Sequence, residues 1–169
     1  LRLEIGDIDV ARVITEVAET LRPQIEASGQ ALDIRIDGST PSIEADGKRI
    51  RQIIFNLLQN ARVHTPGGTT IEVSVCGTGT EVLVEVKDDG EGLPFENPED
   101  AFGSFRSGLA TGGDPMTGSG IGLTISRQLA ELHRGTLEVE SEAGVGTKFT
   151  LLLPVERAAA RKLVLPEAN

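Results

Sequence analysis

Tryptophan and tyrosine are absent from this chain, and phenylalanine occurs only five times. With so few rings, the core must be built from Ile, Leu and Val. One cysteine, Cys76, excludes an internal disulfide and a thiolate zinc set. It falls in an alternating strand pattern, where a packed thiol is expected. No stretch approaches the roughly 18 consecutive apolar residues of a membrane helix, and no signal peptide is recognisable. Positive charge is scarce: 16 Lys and Arg stand against 26 Asp and Glu, for a net charge of −10. That removes the basic face a general nucleic-acid binder needs. It leaves open a single anionic ligand held locally with a metal.

The 169 residues suffice for one domain with a real core. The chain starts at Leu1 and its only methionine is Met116, so a fragment or processed product of a longer parent is expected. Val10, Val13, Ile14, Val17, Ala18, Leu21 and Ile25 recur at helical spacing and predict a helix over about 10–28, with Asp9 as N-cap. "ALDIRI" alternates as a strand, and "PSIEA" is a short extended piece. Asp46 caps a second helix with Ile50, Ile53, Ile54, Leu57, Leu58 and Ala61 on one stripe, ended by "HTPGG". "TIEVSV" and "EVLVEVKD" flank "CGTGT" as a hairpin. Residues 90–120 are rich in Gly and Pro, the pattern of a lid or insert. "GIGLTISRQLAELH" is a third helix, and "GTLEVESE" with "GTKFTLLL" forms a closing strand pair. The expected class is α+β: a two-layer sandwich with a mixed, mostly antiparallel sheet of about five strands on three helices. The expected domain is 1–154 with a lid at about 93–118, and 155–169 is a tail or linker.

Two amides interrupt the apolar second helix. Asn56 and Asn60 lie about 40° apart and roughly 6 Å along its axis, at the edge of the apolar stripe. Amides placed there can bond neighbouring loops or point into a pocket beside the core. "DDGEG" (88–92) ends a strand in a glycine turn: Asp88 can accept from an exocyclic amine, and Gly90 and Gly92 let backbone approach a flat ligand. "GSGIGL" (118–123) opens the third helix, where exposed N–H groups attract phosphate. "GVGTKF" (144–149) leads into the last strand. Each motif alone has an ordinary structural reading.

Their order and element context resemble the N, G1, F, G2 and G3 boxes of sensor histidine kinases. The likeness is to the catalytic ATP-binding domain of the Bergerat fold, in the superfamily of gyrase, heat-shock chaperone, histidine kinase and mismatch-repair ATPases. It covers roughly residues 7–154. The resemblance implies ATP and Mg²⁺ as cofactors, with Asn60 on the metal and Asn56 beside the same site. It implies Asp88 at the adenine amine with Thr147 close by. Gly90 and Gly92 shape the base site, and Gly118, Gly120, Gly122 and Leu123 surround the phosphates. Phe102 and Phe105 match the F box and are expected to pack the lid. Arg106 resembles a lid cation that reaches the terminal phosphate. ATP-hydrolysing members of the superfamily carry a glutamate base four residues before the metal asparagine. Here that residue is Asn56, which fits phosphoryl transfer to a separate acceptor rather than hydrolysis.

The implied function is transfer of the γ-phosphoryl group to a histidine on a separate dimerisation domain of the same parent, in two-component signalling with a downstream response regulator. The sequence departs from the family at Val63, where a basic residue is usual. Arg62 lies about 100° around the helix from it. Val63 supports the alternative of a degenerate kinase module that signals by conformation. His64 and His133 read as structural, with His133 a helix cap rather than a phosphoacceptor. The isolated domain is expected to be a cytoplasmic monomer without nucleic-acid or membrane contact, from a parent that is possibly membrane-anchored.

Overall fold

The computed structural model describes residues 1–38, 40–103 and 121–156. Helix α1 (Val10–Ala27) is capped by Asp9, whose side chain accepts from the Arg12 amide. Helix α2 (Gly47–His64) is capped by Asp46, whose carboxylate accepts from the Lys48 and Arg49 amides. These side chains satisfy amides that the first helical turn leaves without partners. Helix α3 (Ile121–Leu132) is the third. The apolar stripes expected from the sequence are the buried faces of α1 and α2, and α2 packs between α1 and α3.

Among the described residues, seven strands form two sheets. A short ribbon pairs β1 (Gly6–Ile8) with β3 (Ile43–Ala45). The main sheet contains β2 (Ala31–Ile36), β4 (Thr70–Gly77), β5 (Glu81–Asp88), β6 (Thr136–Glu142) and β7 (Gly146–Pro154). Its spatial order is β2-β4-β5-β7-β6. Only β2–β4 is parallel, because α2 intervenes between those strands; the other three pairings are antiparallel. This is the expected α+β sandwich. The extended "PSIEA" piece supplies β3, which leaves the main sheet to pair with the N-terminal residues.

Alternation along the strands decides the core. Val82, Val84 and Val86 of β5, and Phe149, Leu151 and Leu153 of β7, turn one face to the helices and are buried. Each such side chain contributes roughly 1.5–3 kcal/mol by leaving water. The intervening positions carry Glu85, Lys87, Lys148 and Thr150 on the opposite face. The Gly-rich stretch contains a 3-10 turn at Pro98–Ala101. Phe102 then turns inward, buried edge-on against Phe149 with centroids 6.0 Å apart. The Arg127 guanidinium lies 4.0 Å from the centre of the Phe102 ring and pairs with Glu99 at 2.7 Å. Phe102 therefore packs on the domain as expected. Phe105, Arg106, Gly118 and Gly120 lie outside the described residues, as do most of the expected lid and the tail from residue 157 onward.

Candidate functional site

The end of α2, the end of β5 and the start of β7 converge on a narrow recess of about 20 Å³ that opens to solvent. Asn60, His64 and Thr65 line it from α2 and its C-cap. Asp88, Gly92 and Leu93 line it from β5 and the following turn, and Thr147 from β7. The pairing of Asp88 with Thr147 in the β5–β7 register brings together residues far apart in sequence.

Asp88 is a buried carboxylate, 8% exposed. Its Oδ1 accepts the Gly90 amide at 3.0 Å. Burial pushes its pKa above the ordinary value; the Gly90 and Thr147 amides oppose that, and the Asp89 charge adds to it. A buried acceptor with raised proton affinity, facing a recess, is the profile of a ligand-reading group rather than of a structural ion pair. Close backbone packing shapes the recess around it. Gly146 has φ +143° and sits against the Asp88 carbonyl where any side chain would collide. Gly92 has φ +83°, and a Cβ there would lie 2.7 Å from the Glu142 carbonyl oxygen. Glycine is required at both positions by conformation and by space.

The two asparagines divide. Asn56 donates from Nδ2 to the Gly122 carbonyl at 3.2 Å and to Ser126 Oγ at 3.1 Å. Ser126, fully buried, donates to the same carbonyl at 2.7 Å. Both amide hydrogens of Asn56 are thus committed to the first two turns of α3, and only Oδ1, a pure acceptor, is left. Asn60 lines the recess, and its amide has no partner among the described residues. A free carboxamide oxygen is a suitable hard ligand for Mg²⁺, which is commonly held by one or two protein oxygens together with ligand phosphates. Among the described residues no cluster of three His, Cys, Asp or Glu could hold a metal alone. Gly122 and Leu123 lie in the first turn of α3, and the Leu123 side chain is buried. Only its backbone can meet a ligand.

Arg62 Nε donates to Gln59 Oε1 at 3.1 Å, one turn back along α2. His133 is buried and bonded within the fold, which fits the cap role. His64 is exposed at the edge of the recess, where the sequence suggested a purely structural position. Sequence reasoning also missed Thr65 and Leu93 in the lining of the recess. Thr65 is a helix-end residue whose hydroxyl donates to Ala61 O at 2.7 Å. Leu93 follows a glycine turn, where nothing in the sequence distinguishes it from its neighbours.

A family model for histidine kinase-, DNA gyrase B- and HSP90-like ATPases matches residues 45–157. The chain belongs to this family. It is 32% identical over 154 residues to the alginate biosynthesis sensor protein KinB of Pseudomonas aeruginosa. That match covers 91% of this chain and 25% of KinB, so the chain spans about a quarter of that relative. The nucleotide-free catalytic domain of histidine kinase ThkA superposes with a TM-score of 0.79 at 27% identity, covering 92% of this chain and 99% of ThkA's. Full-length ShkA in complex with AMPPNP superposes with a TM-score of 0.77 at 26% identity, covering 91% of this chain and 32% of ShkA. The fold is therefore that of histidine kinase catalytic domains. Among the described residues no helix is long and apolar enough to cross a membrane.

Proposed function

We propose that the chain binds Mg–ATP and delivers the γ-phosphoryl group to a histidine on a separate dimerisation domain of its parent protein. A response regulator is the next acceptor, and the setting is cytoplasmic. The observation that carries this reading is the buried Asp88 carboxylate facing the same recess as Thr147 and the unpartnered Asn60 amide. Asp88 accepts the adenine amine. Gly90 and Gly92 allow the base to lie against backbone. Asn60 offers its amide oxygen to Mg²⁺, which neutralises phosphate charge when bound. The first turn of α3, with Gly118 and Gly120 before it in the sequence, surrounds the phosphates. Arg106 supplies the lid cation that Val63 does not. Asn56 has no proton-accepting power near neutral pH, and both of its hydrogens are engaged. It therefore does not activate water, and the site favours transfer, which needs mainly positioning and charge neutralisation.

The test is a titration of this chain with an ATP analogue, with and without Mg²⁺. Labelled-phosphate incorporation is then measured into the parent's helical hairpin carrying the acceptor histidine. The reading expects Mg²⁺-dependent binding, little hydrolysis by the chain alone and incorporation only when the hairpin is added. Binding without incorporation into an intact acceptor would leave the degenerate, conformational module that Val63 suggests.

A further inference from the structure

The face of the main sheet that turns away from the helices changes character along the strands. Toward the Asp88 end it is charged, with Glu72, Lys87, Lys148 and Glu140 side by side in the register. Four residues further along β4, Cys76, Leu83 and Leu152 stand side by side instead. A groove of about 240 Å³, open to solvent, lies at this end. Arg35, Asp37, Ser74, Cys76, Leu83 and Glu85 line it. Arg35 is engaged by Asp33 at 3.2 Å and by Glu72 at 3.3 Å, whereas Asp37 and Glu85 hold no ion pair among the described residues. The groove is thus apolar at Cys76 and Leu83 and carries uncompensated negative charge. Its volume falls below the range of about 300–1,000 Å³ typical of small-molecule pockets, which suits the side chains of a polypeptide better.

The chain itself supplies a fitting occupant. Strand β7 ends at Pro154, paired with Glu81, two residues from Leu83 on β5. Val155 is then fixed on both sides, donating to the Thr80 carbonyl at 2.9 Å and accepting the Glu44 amide at 3.1 Å. Residues 157–169 therefore follow from the apolar end of the sheet. They read RAAARKLVLPEAN. Arg157, Arg161 and Lys162 stand against Glu167, a net +2 in a chain of net −10, so residues 1–156 carry −12. Leu163, Val164 and Leu165 follow the basic pair directly. Leu163 is eight residues beyond Val155, a span of about 12 Å even at the helical rise and about 26 Å when extended. Leu83 lies only about 7 Å along the strand from the end of β7, so the groove is within reach. We propose that residues 157–169 dock in this groove. Leu163, Val164 and Leu165 cover Cys76 and Leu83, and Arg161 and Lys162 meet Asp37 and Glu85. A second copy would bring an acidic body to an acidic groove, whereas the tail brings complementary charge. Its tether also keeps it at high effective concentration. Docking leaves the nucleotide recess untouched and shields the Cys76 thiol.

The experiment measures how fast Cys76, the only cysteine, reacts with Ellman's reagent in three folded forms. These are the whole chain, a chain ending at Glu156, and the whole chain with Leu163→Asp, Val164→Asp and Leu165→Asp together. Urea melts establish that each form is folded; the cut falls two residues after β7. Removing or charging the tail should raise the rate at least about 5-fold, the factor for a site covered about four-fifths of the time. A free peptide of residues 157–169 should slow the truncated chain again. Trypsin reads the same contact from the other side. Cleavage after Arg161 and Lys162 should be slow in the parent and at least about 5-fold faster in Glu85→Lys and in Leu83→Asp. Thiol and cleavage rates that ignore all of these changes would overturn the inference and leave an open groove. Where Cys76 is equally slow in every form, the cleavage rates decide, and no acceleration in either variant overturns it. Protection of Cys76 that survives truncation and grows with protein concentration would overturn it too, and would assign the groove to a second copy.

Discussion

His133 Nε2 accepts the backbone amide hydrogen of Asp46 at 3.0 Å, across 87 positions of sequence. The ring's other nitrogen lies 2.7 Å from the Leu129 carbonyl. A carbonyl only accepts and an amide only donates, so the neutral tautomer with hydrogen on Nδ1 satisfies both. The residue that caps α2 is thereby tied to the end of α3. The Asp46 carboxylate also accepts from the Glu4 amide at 2.9 Å. His133→Leu keeps the volume and removes both bonds. It should cost about 1–3 kcal/mol, read as a lower urea midpoint at unchanged slope. A midpoint equal to the parent's would show that the junction is held elsewhere.

Asp46 itself makes the fold sensitive to acid. Burial pushes its pKa up, but the amides of Glu4, Arg49 and Lys48 outweigh burial and leave it below the ordinary value of 3.8. A depressed pKa means stability that is present above the unfolded value and lost as pH falls through the folded one. Asp46→Asn should therefore be less stable than the parent near neutral pH, and the gap should close on acidification below about pH 3.8. Urea melts at several pH values measure this, and a constant gap would contradict it.

Asp88 has the opposite sign. Its pKa is raised above 3.8 by burial, so its contribution to stability is full below the ordinary value and is lost as pH rises through the raised one. Asp88→Asn should thus leave thermal stability near neutral pH equal or higher, since Asn can still accept from Gly90. The same change should weaken ATP binding by about 1–3 kcal/mol through loss of the acceptor. Binding to the parent should fall as pH drops through the raised pKa, because a protonated carboxyl loses acceptor capacity. Equal loss for ATP and for an analogue lacking the 6-amino group would sink the assignment.

The two asparagines should fail differently. Asn60→Ala should abolish the Mg²⁺-dependent part of binding with little change in melting temperature, because its amide bonds nothing among the described residues. Asn56→Asp places a carboxylate against the Gly122 carbonyl, which can only accept. It should destabilise the fold by about 1–3 kcal/mol, the penalty of an unsatisfied buried group. Calorimetry with and without Mg²⁺, alongside thermal melts, separates the two. Similar stability losses in both variants would undo the division of roles.

Gly146 and Gly144 offer a matched pair. Both have positive φ, but Gly144 faces open space while Gly146 abuts the Asp88 carbonyl. Gly144→Ala should cost on the order of 1 kcal/mol from backbone strain alone. Gly146→Ala should exceed about 3 kcal/mol, because it forces β7 away from β5. Comparable costs in urea melts would mean that the strand end yields and the recess is not set by this contact.

The sequence by itself determined the helices, the strands and their buried faces. Periodicity, Asp9, Asp46 and the glycine turns are local signals, and an apolar face decides its own burial. It also carried the site's parts, because a strand-end Asp, an amide pair and glycine turns survive as short motifs. Only the tertiary structure decided what each part touches. Asn56 and Asn60 are one turn apart on the same helix, yet α3 packs on one and leaves the other open, a difference set by a neighbour 66 residues away. The strand pairings bring Ser141 beside Thr147 and Thr147 opposite Asp88. Register across β5, β7 and β6 sets these neighbours, since cross-strand pairing depends on partners that periodicity does not name.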